Sequence, residues 1–169
     1  PSARFFSENN WAETPPPRAA ALRGRMGRMS DHEAWVTALP VDENIMLQQL
    51  FHTRRSRDDI RQEAERLART FGLPGLPTDL PENVSSRDLH ASSLIKTFLG
   101  EPEFVILERP TVDGHREGLR HLVNACGDVR RRGGGILWLT EDRAIFEDKG
   151  LGFTRRYRAV GVNLVAVES

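Results

Sequence analysis

The longest uninterrupted apolar run early in the second half of the chain is Phe104-Val105-Ile106-Leu107, bounded by Pro102 and Pro110. Such a run predicts a strand buried on both faces, as in parallel sheets. Ile136-Leu137-Trp138-Leu139-Thr140 has the same character. Between the two runs, residues 115–132 place Leu119, Leu122, Val123 and Val129 at helical spacing. Strand, helix, strand with a crossover of that length predicts parallel pairing of 103–107 with 136–140. Gly133-Gly134-Gly135 precedes a strand and not a helix, so it is a turn and not a phosphate cradle.

Upstream, residues 40–80 carry mostly helical patterning. Ser56 with Asp59 forms a capping box, and Ile60, Ala64, Leu67, Ala68 and Phe71 recur on one face before Gly72. Residues 74–83, rich in Pro and Gly, predict a loop. Ala91, Leu94, Ile95, Phe98 and Leu99 then form one apolar helical stripe. At the amino end, Arg4-Phe5-Phe6 is a strand candidate, Trp11 a packing residue, and 18–25 a short helix. At the other end, Glu141-Asp142-Arg143-Ala144 begins a short helix, and 153–167 predicts a hairpin turning near Gly161-Val162-Asn163. The fold class is α/β with a separate helical insert.

Composition narrows the function little. The 169 residues suit one domain of ordinary size, and 24 basic against 24 acidic residues argue against generic attraction to nucleic acid or anionic membrane. Lys96 and Lys149 are the lysines in an otherwise arginine-based set, and Cys126 is the lone cysteine. One cysteine excludes an internal disulfide and favours a cytosolic setting. No apolar run in these residues approaches a membrane span, and neither a signal peptide nor membrane insertion is expected.

From Val84 the chain continues without a gap as VSSRDLHASSLIKTFLGEPEFVILERPT. This stretch resembles the ATP-binding cassette (ABC) transporter ATPases. In that family a Leu-Ser-Gly-Gly-Gln signature opens a helix, a Gly-x-Pro turn follows, and a Walker B strand ends in Asp-Glu-Pro-Thr. Here Val84 to Asp88 fall on the signature, Gly100-Glu101-Pro102 on the turn, and Leu107-Glu108-Arg109-Pro110-Thr111 on the end of Walker B. Leu39-Pro40-Val41-Asp42-Glu43-Asn44-Ile45 resembles the start of the family's helical subdomain. Met26-Gly27-Arg28-Met29-Ser30-Asp31 resembles the strand that ends in its metal-touching glutamine.

The resemblance implies a P-loop NTPase-like parallel sheet lacking the phosphate-loop strand, with an inserted helical subdomain. Residues 1–34 would be an N-terminal segment of the core, 35–99 the helical subdomain with the signature-like helix, and 100–169 the remaining core with its hairpin. Without the phosphate-loop strand a sheet edge would lie open. Dimerisation, cover by Phe5-Phe6, or a longer native chain would each resolve it.

The family's chemistry needs groups that these positions lack. No Gly-x-x-x-x-Gly-Lys-Ser/Thr occurs in these residues. In the signature Ser85 is kept, but Ser86 and Arg87 replace glycines whose backbone amides approach a γ-phosphate, and Asp88 follows. Glu108 stands for the Walker B aspartate; it keeps the charge of a magnesium contact and displaces it by about one methylene. Arg109 stands for the general base, yet stays protonated and cannot accept a proton. Asp31 replaces the glutamine, and Glu141 replaces the histidine between Thr140 and Asp142. Arg109 is expected to pair with Glu141 in the vacated γ-phosphate site.

Three functions follow as expectations. The first is a catalytically degenerate ABC-like protein acting without hydrolysis, as partner of a second nucleotide-binding subunit or of a membrane permease met by residues 35–71. It would be cytoplasmic, peripheral at the inner membrane face. The second is an ATPase fragment that uses ATP and Mg²⁺ when an upstream phosphate loop or a competent partner subunit is supplied. The third is an arginine-rich adaptor docking through Arg130-Arg131-Arg132 and Arg155-Arg156.

Overall fold

The structure, a computed structural model, describes residues 12–111 and 116–167. The Phe5-Phe6 strand and the packing role of Trp11 lie outside them. The described chain forms two compact units, one ending at Leu139 and the other starting at Thr140.

The first unit contains α1 (Pro16–Arg23), β1 (Met26–Met29), α2 (Val41–His52), α3 (Arg57–Thr70), α4 (Ser86–Phe98), β2 (Phe104–Glu108), α5 (Arg116–Arg131) and β3 (Gly135–Leu139). Its sheet has the order β1-β2-β3, with both pairings parallel. Phe104 lies opposite Gly135 and Leu107 opposite Trp138, as the crossover length predicts. The strand at 26–29 pairs Met29 with Leu107, so its carboxyl end stops beside that of β2.

The helical stretch expected over 40–80 divides into α2 and α3. Thr53 leaves the helix in an extended conformation, and Ser56 restarts it by accepting a hydrogen bond from the Asp59 amide at 3.1 Å. Gly72, at φ 84, ends α3 where a side chain would be strained. Residues 73–80 are loop, as the prolines require.

The single apolar stripe expected on α4 serves two cores. Ala91, Ile95 and Leu99 pack with Val41, Ile45 and Met46 of α2 and with Ile60, Ala64 and Ala68 of α3. Leu94 and Phe98 pack with Met29, Val105 and Leu107 of the sheet and with Leu122, Ala125, Cys126 and Val129 of α5. Helix α4 therefore joins the helical layer to the sheet. It lies so close to β1 that a Cβ on Gly27 would collide with the Thr97 carbonyl oxygen.

The sheet is one-sided among the described residues, which corrects the expectation of a strand buried on both faces. Val105 and Leu107 are fully buried, whereas Phe104 and Ile106 are half-covered. On β3, Ile136 and Trp138 pack on the core, and Leu137 and Leu139 on the other face are 45% and 46% exposed. The apolar run cannot by itself distinguish a covered second face from an open one.

In the second unit, α6 (Arg143–Glu147) precedes a single 3-10 turn and the antiparallel hairpin of β4 (Arg156–Val160) and β5 (Asn163–Val167). Asp142 caps α6 by accepting from the Ala144 amide at 2.8 Å. Arg156 donates to the Phe146 and Asp148 carbonyl oxygens at 2.7 and 2.9 Å, fastening the hairpin to the segment before it.

Candidate functional site

Parallel strands release their chains at the same end, so whatever follows β1 and β2 gathers at one edge of the sheet. Arg28 stands opposite Ile106, which puts it on the same face as Glu108 two residues further along β2. Its Nη2 donates to Glu108 Oε1 at 3.0 Å. The next residue, Arg109, takes φ 47, and its amide donates to the Leu139 carbonyl oxygen at 2.9 Å. That turn carries its side chain to Asp31, where Nη1 lies 3.1 Å from Oδ2. The partner expected from the sequence is Glu141; the structure gives Asp31 instead. Asp31 lies two residues beyond β1 and reaches Arg109 from the end of the neighbouring strand.

The loop that leaves β1 is held twice more. Glu33 Oε1 accepts from Lys96 Nζ of α4 at 2.5 Å, and that ammonium lies 5.5 Å from the centre of the Trp35 ring. Further on, Asn44 is buried and fastens the same loop to α2. Its side-chain amide donates to the Val36, Leu39 and Pro40 carbonyl oxygens at 2.9–3.0 Å, and its oxygen accepts from the Val36 amide at 2.8 Å. At the other side of the edge, His90 of α4 lies within hydrogen-bond distance (3.1 Å) of the Pro110 carbonyl oxygen.

Asp31, Glu108 and Arg109 thus come together with Arg28. Ser85 to Asp88 sit at the start of α4, with the Ser85 hydroxyl accepting from the Asp88 amide at 3.1 Å. Ser86 and Arg87 are exposed in that first turn. Glu141 belongs to the second unit, in the exposed approach to α6. Sequence reasoning missed Arg28, Glu33, His90 and Lys96 as members of this edge. The signal for Arg28 was its lone charge in the apolar Met26-Gly27-Arg28-Met29 strand.

The family resemblance implies a magnesium ion at Glu108. One oxygen of each nearby carboxylate is already bonded to a guanidinium, Glu108 to Arg28 and Asp31 to Arg109. Among the described residues, no group of three or more His, Cys, Asp or Glu side chains is placed to hold a metal. Magnesium keeps several waters and needs only one or two carboxylates beside substrate phosphates, so an ion here would have to compete with Arg28 for Glu108 and with Arg109 for Asp31.

No protein-family model and no curated protein sequence matches the chain. Among solved structures it is similar to a dimeric structure of the ATP-binding cassette MJ0796 in a post-hydrolysis state, bound to ADP and Pi. The TM-score is 0.66 at 15% identity, over 77% of this chain. The fold is that of an ABC ATPase. This chain spans 58% of the length of that cassette. The mixed α/β core and its parallel sheet agree with the fold class expected from the sequence. Among the described residues no helix is long and apolar enough to cross a membrane.

Proposed function

We propose that this chain is a catalytically degenerate relative of the ABC ATPases that acts by binding and not by hydrolysis. Its partner would be a second nucleotide-binding subunit, or a membrane permease met through residues 35–71. The observation that carries this reading is the Arg109–Asp31 pair. In the base position stands a guanidinium, which cannot take a proton from water, and its counter-charge is the residue in the glutamine position. Arg28 in turn engages Glu108. Two carboxylates and two guanidiniums neutralise one another at the edge where phosphoryl transfer would require an oriented water and a metal.

The test is Mg-ATP calorimetry together with phosphate release by the purified chain. The expected result is no binding in the sub-millimolar range and no release above buffer, unchanged by Glu108→Gln. Phosphate release abolished by Glu108→Gln overturns the proposal.

A second reading is favoured by the uncharged outer strand β3, whose Leu137 and Leu139 are half-exposed. An edge of that kind suits a further strand, and a strand leading into a glycine-lysine loop would give an ATP-binding, slowly hydrolysing protein. An in-frame glycine-lysine loop in the coding DNA upstream of Pro1, or sub-millimolar Mg-ATP binding, would favour it over the first.

A further inference from the structure

A cleft of about 500 Å³ lies between the last turns of α3 and α5 and the Gly100-Glu101 turn that leads into β2. It stands at the amino end of β2, whereas Asp31 and Arg109 meet at the carboxyl end, so it is separate from the site above. Its apolar wall is Leu67, Phe98 and Ala125. That volume is within the range of small-molecule sites, about 300–1,000 Å³.

The charged residues around it divide into paired and unpaired. Arg55 bonds Glu63 at 2.6 Å, and Glu63 also accepts from the Gly100 amide at 2.7 Å. Asp128 is paired with Arg131. Arg66, one turn from the end of α3, and Arg132, directly after α5, both line the cleft, and their guanidinium groups have no hydrogen-bonding or ionic partner among the described residues. A helix carboxyl end favours a nearby cation, which accounts for positive charge here. It leaves the guanidinium N–H forks without a defined acceptor, and a guanidinium fork matches the oxygens of a phosphate or carboxylate. Glu101, at φ 52, is the unpaired carboxylate of the lining, so the unpaired groups sum to one positive charge.

We propose that this cleft binds a small organic anion, its phosphate or carboxylate held between Arg66 and Arg132 and its apolar body against Leu67, Phe98 and Ala125. The inference is independent of what happens to ATP at the other end of the sheet.

The experiment is an amide NMR titration of the isotope-labelled chain with phenyl phosphate, benzoate, inorganic phosphate and benzylammonium. Saturable shifts are expected at Thr70, Gly100, Glu101 and Ala125 with phenyl phosphate or benzoate. Whichever of the two binds tighter identifies the head group. Inorganic phosphate should bind about tenfold more weakly, since it lacks the buried ring. The double variant Arg66→Gln/Arg132→Gln should weaken phenyl phosphate at least about tenfold, because both charge-assisted contacts are lost. Both arginines are exposed, so an unchanged spectrum of the free variant verifies its fold. Shifts confined to other residues, binding that survives the double substitution, or tighter binding of benzylammonium than of phenyl phosphate would each overturn the assignment.

Discussion

Arg109 bonds Asp31 at 3.1 Å from a backbone held at φ 47. For a residue with a side chain that conformation costs about 1–2 kcal/mol. An exposed ion pair returns about 0–1 kcal/mol, so the pair does not offset the strain by itself. The rest is supplied by the context that fixes the turn, including the Arg109 amide bond to Leu139.

Replacing Arg109 separates these effects. Arg109→Gly and Arg109→Ala both lose the ion pair, but glycine alone relieves the positive φ. The glycine variant should be the more stable of the two by about 1 kcal/mol, read from urea midpoints at unchanged slope. Equal stability of the two would show that the turn is unstrained.

Gly27 should tolerate no side chain. The atom that a Cβ would meet is the Thr97 backbone carbonyl oxygen of α4, which cannot rotate away. Gly27→Ala is expected to lower stability by about 3 kcal/mol in a denaturant melt, the upper range for an overpacked core. Arg28→Ala next to it removes an exposed pair and should cost less than about 1 kcal/mol.

Asn44 of α2 bonds four backbone groups of the loop before that helix while only 2% exposed. Asn44→Leu leaves those groups facing an apolar side chain. A loss of about 2–3 kcal/mol is expected from unsatisfied buried acceptors. Hydrogen exchange of the Val36 amide should accelerate beyond that global change, because its acceptor is the Asn44 oxygen itself.

Cys126 is buried against the sheet, and burial pushes its thiol from about 9 up to about 12, with Arg130 opposing weakly. The native thiol should react with a disulfide reagent at about pH 8 more than about a hundredfold slower than the unfolded chain. The sign of the pH dependence follows. The folded state holds this proton more tightly, so its contribution to stability is complete below about 9 and declines as pH rises toward 12. A thermal midpoint that falls through that window in the native chain, and less in Cys126→Ala, is the check.

Much of the fold was legible because its signals are local. The two apolar runs, the crossover between them and the serine cap at Ser56 each depend on residues close in sequence. The division of the α4 stripe between two cores was hidden, because periodicity says which residues are apolar and not what stands opposite. The same limit concealed the open face of β3, where Leu137 is as apolar as the buried Leu107. At the candidate site, Glu108 and Arg109 stood out by following a core strand. Their partners Arg28 and Asp31 are about 80 positions away, brought near by the β1–β2 register alone.

The close seat of α4 on β1 has a mechanical consequence. With the Thr97 carbonyl resting over Gly27, no side chain lies between them to act as a bearing. A molecule that grips the exposed Ser86 and Arg87 at the other end would therefore be holding a rod welded to the sheet. A shift of that end would press on Met29 and Leu107, against which Leu94 and Phe98 of the same helix pack.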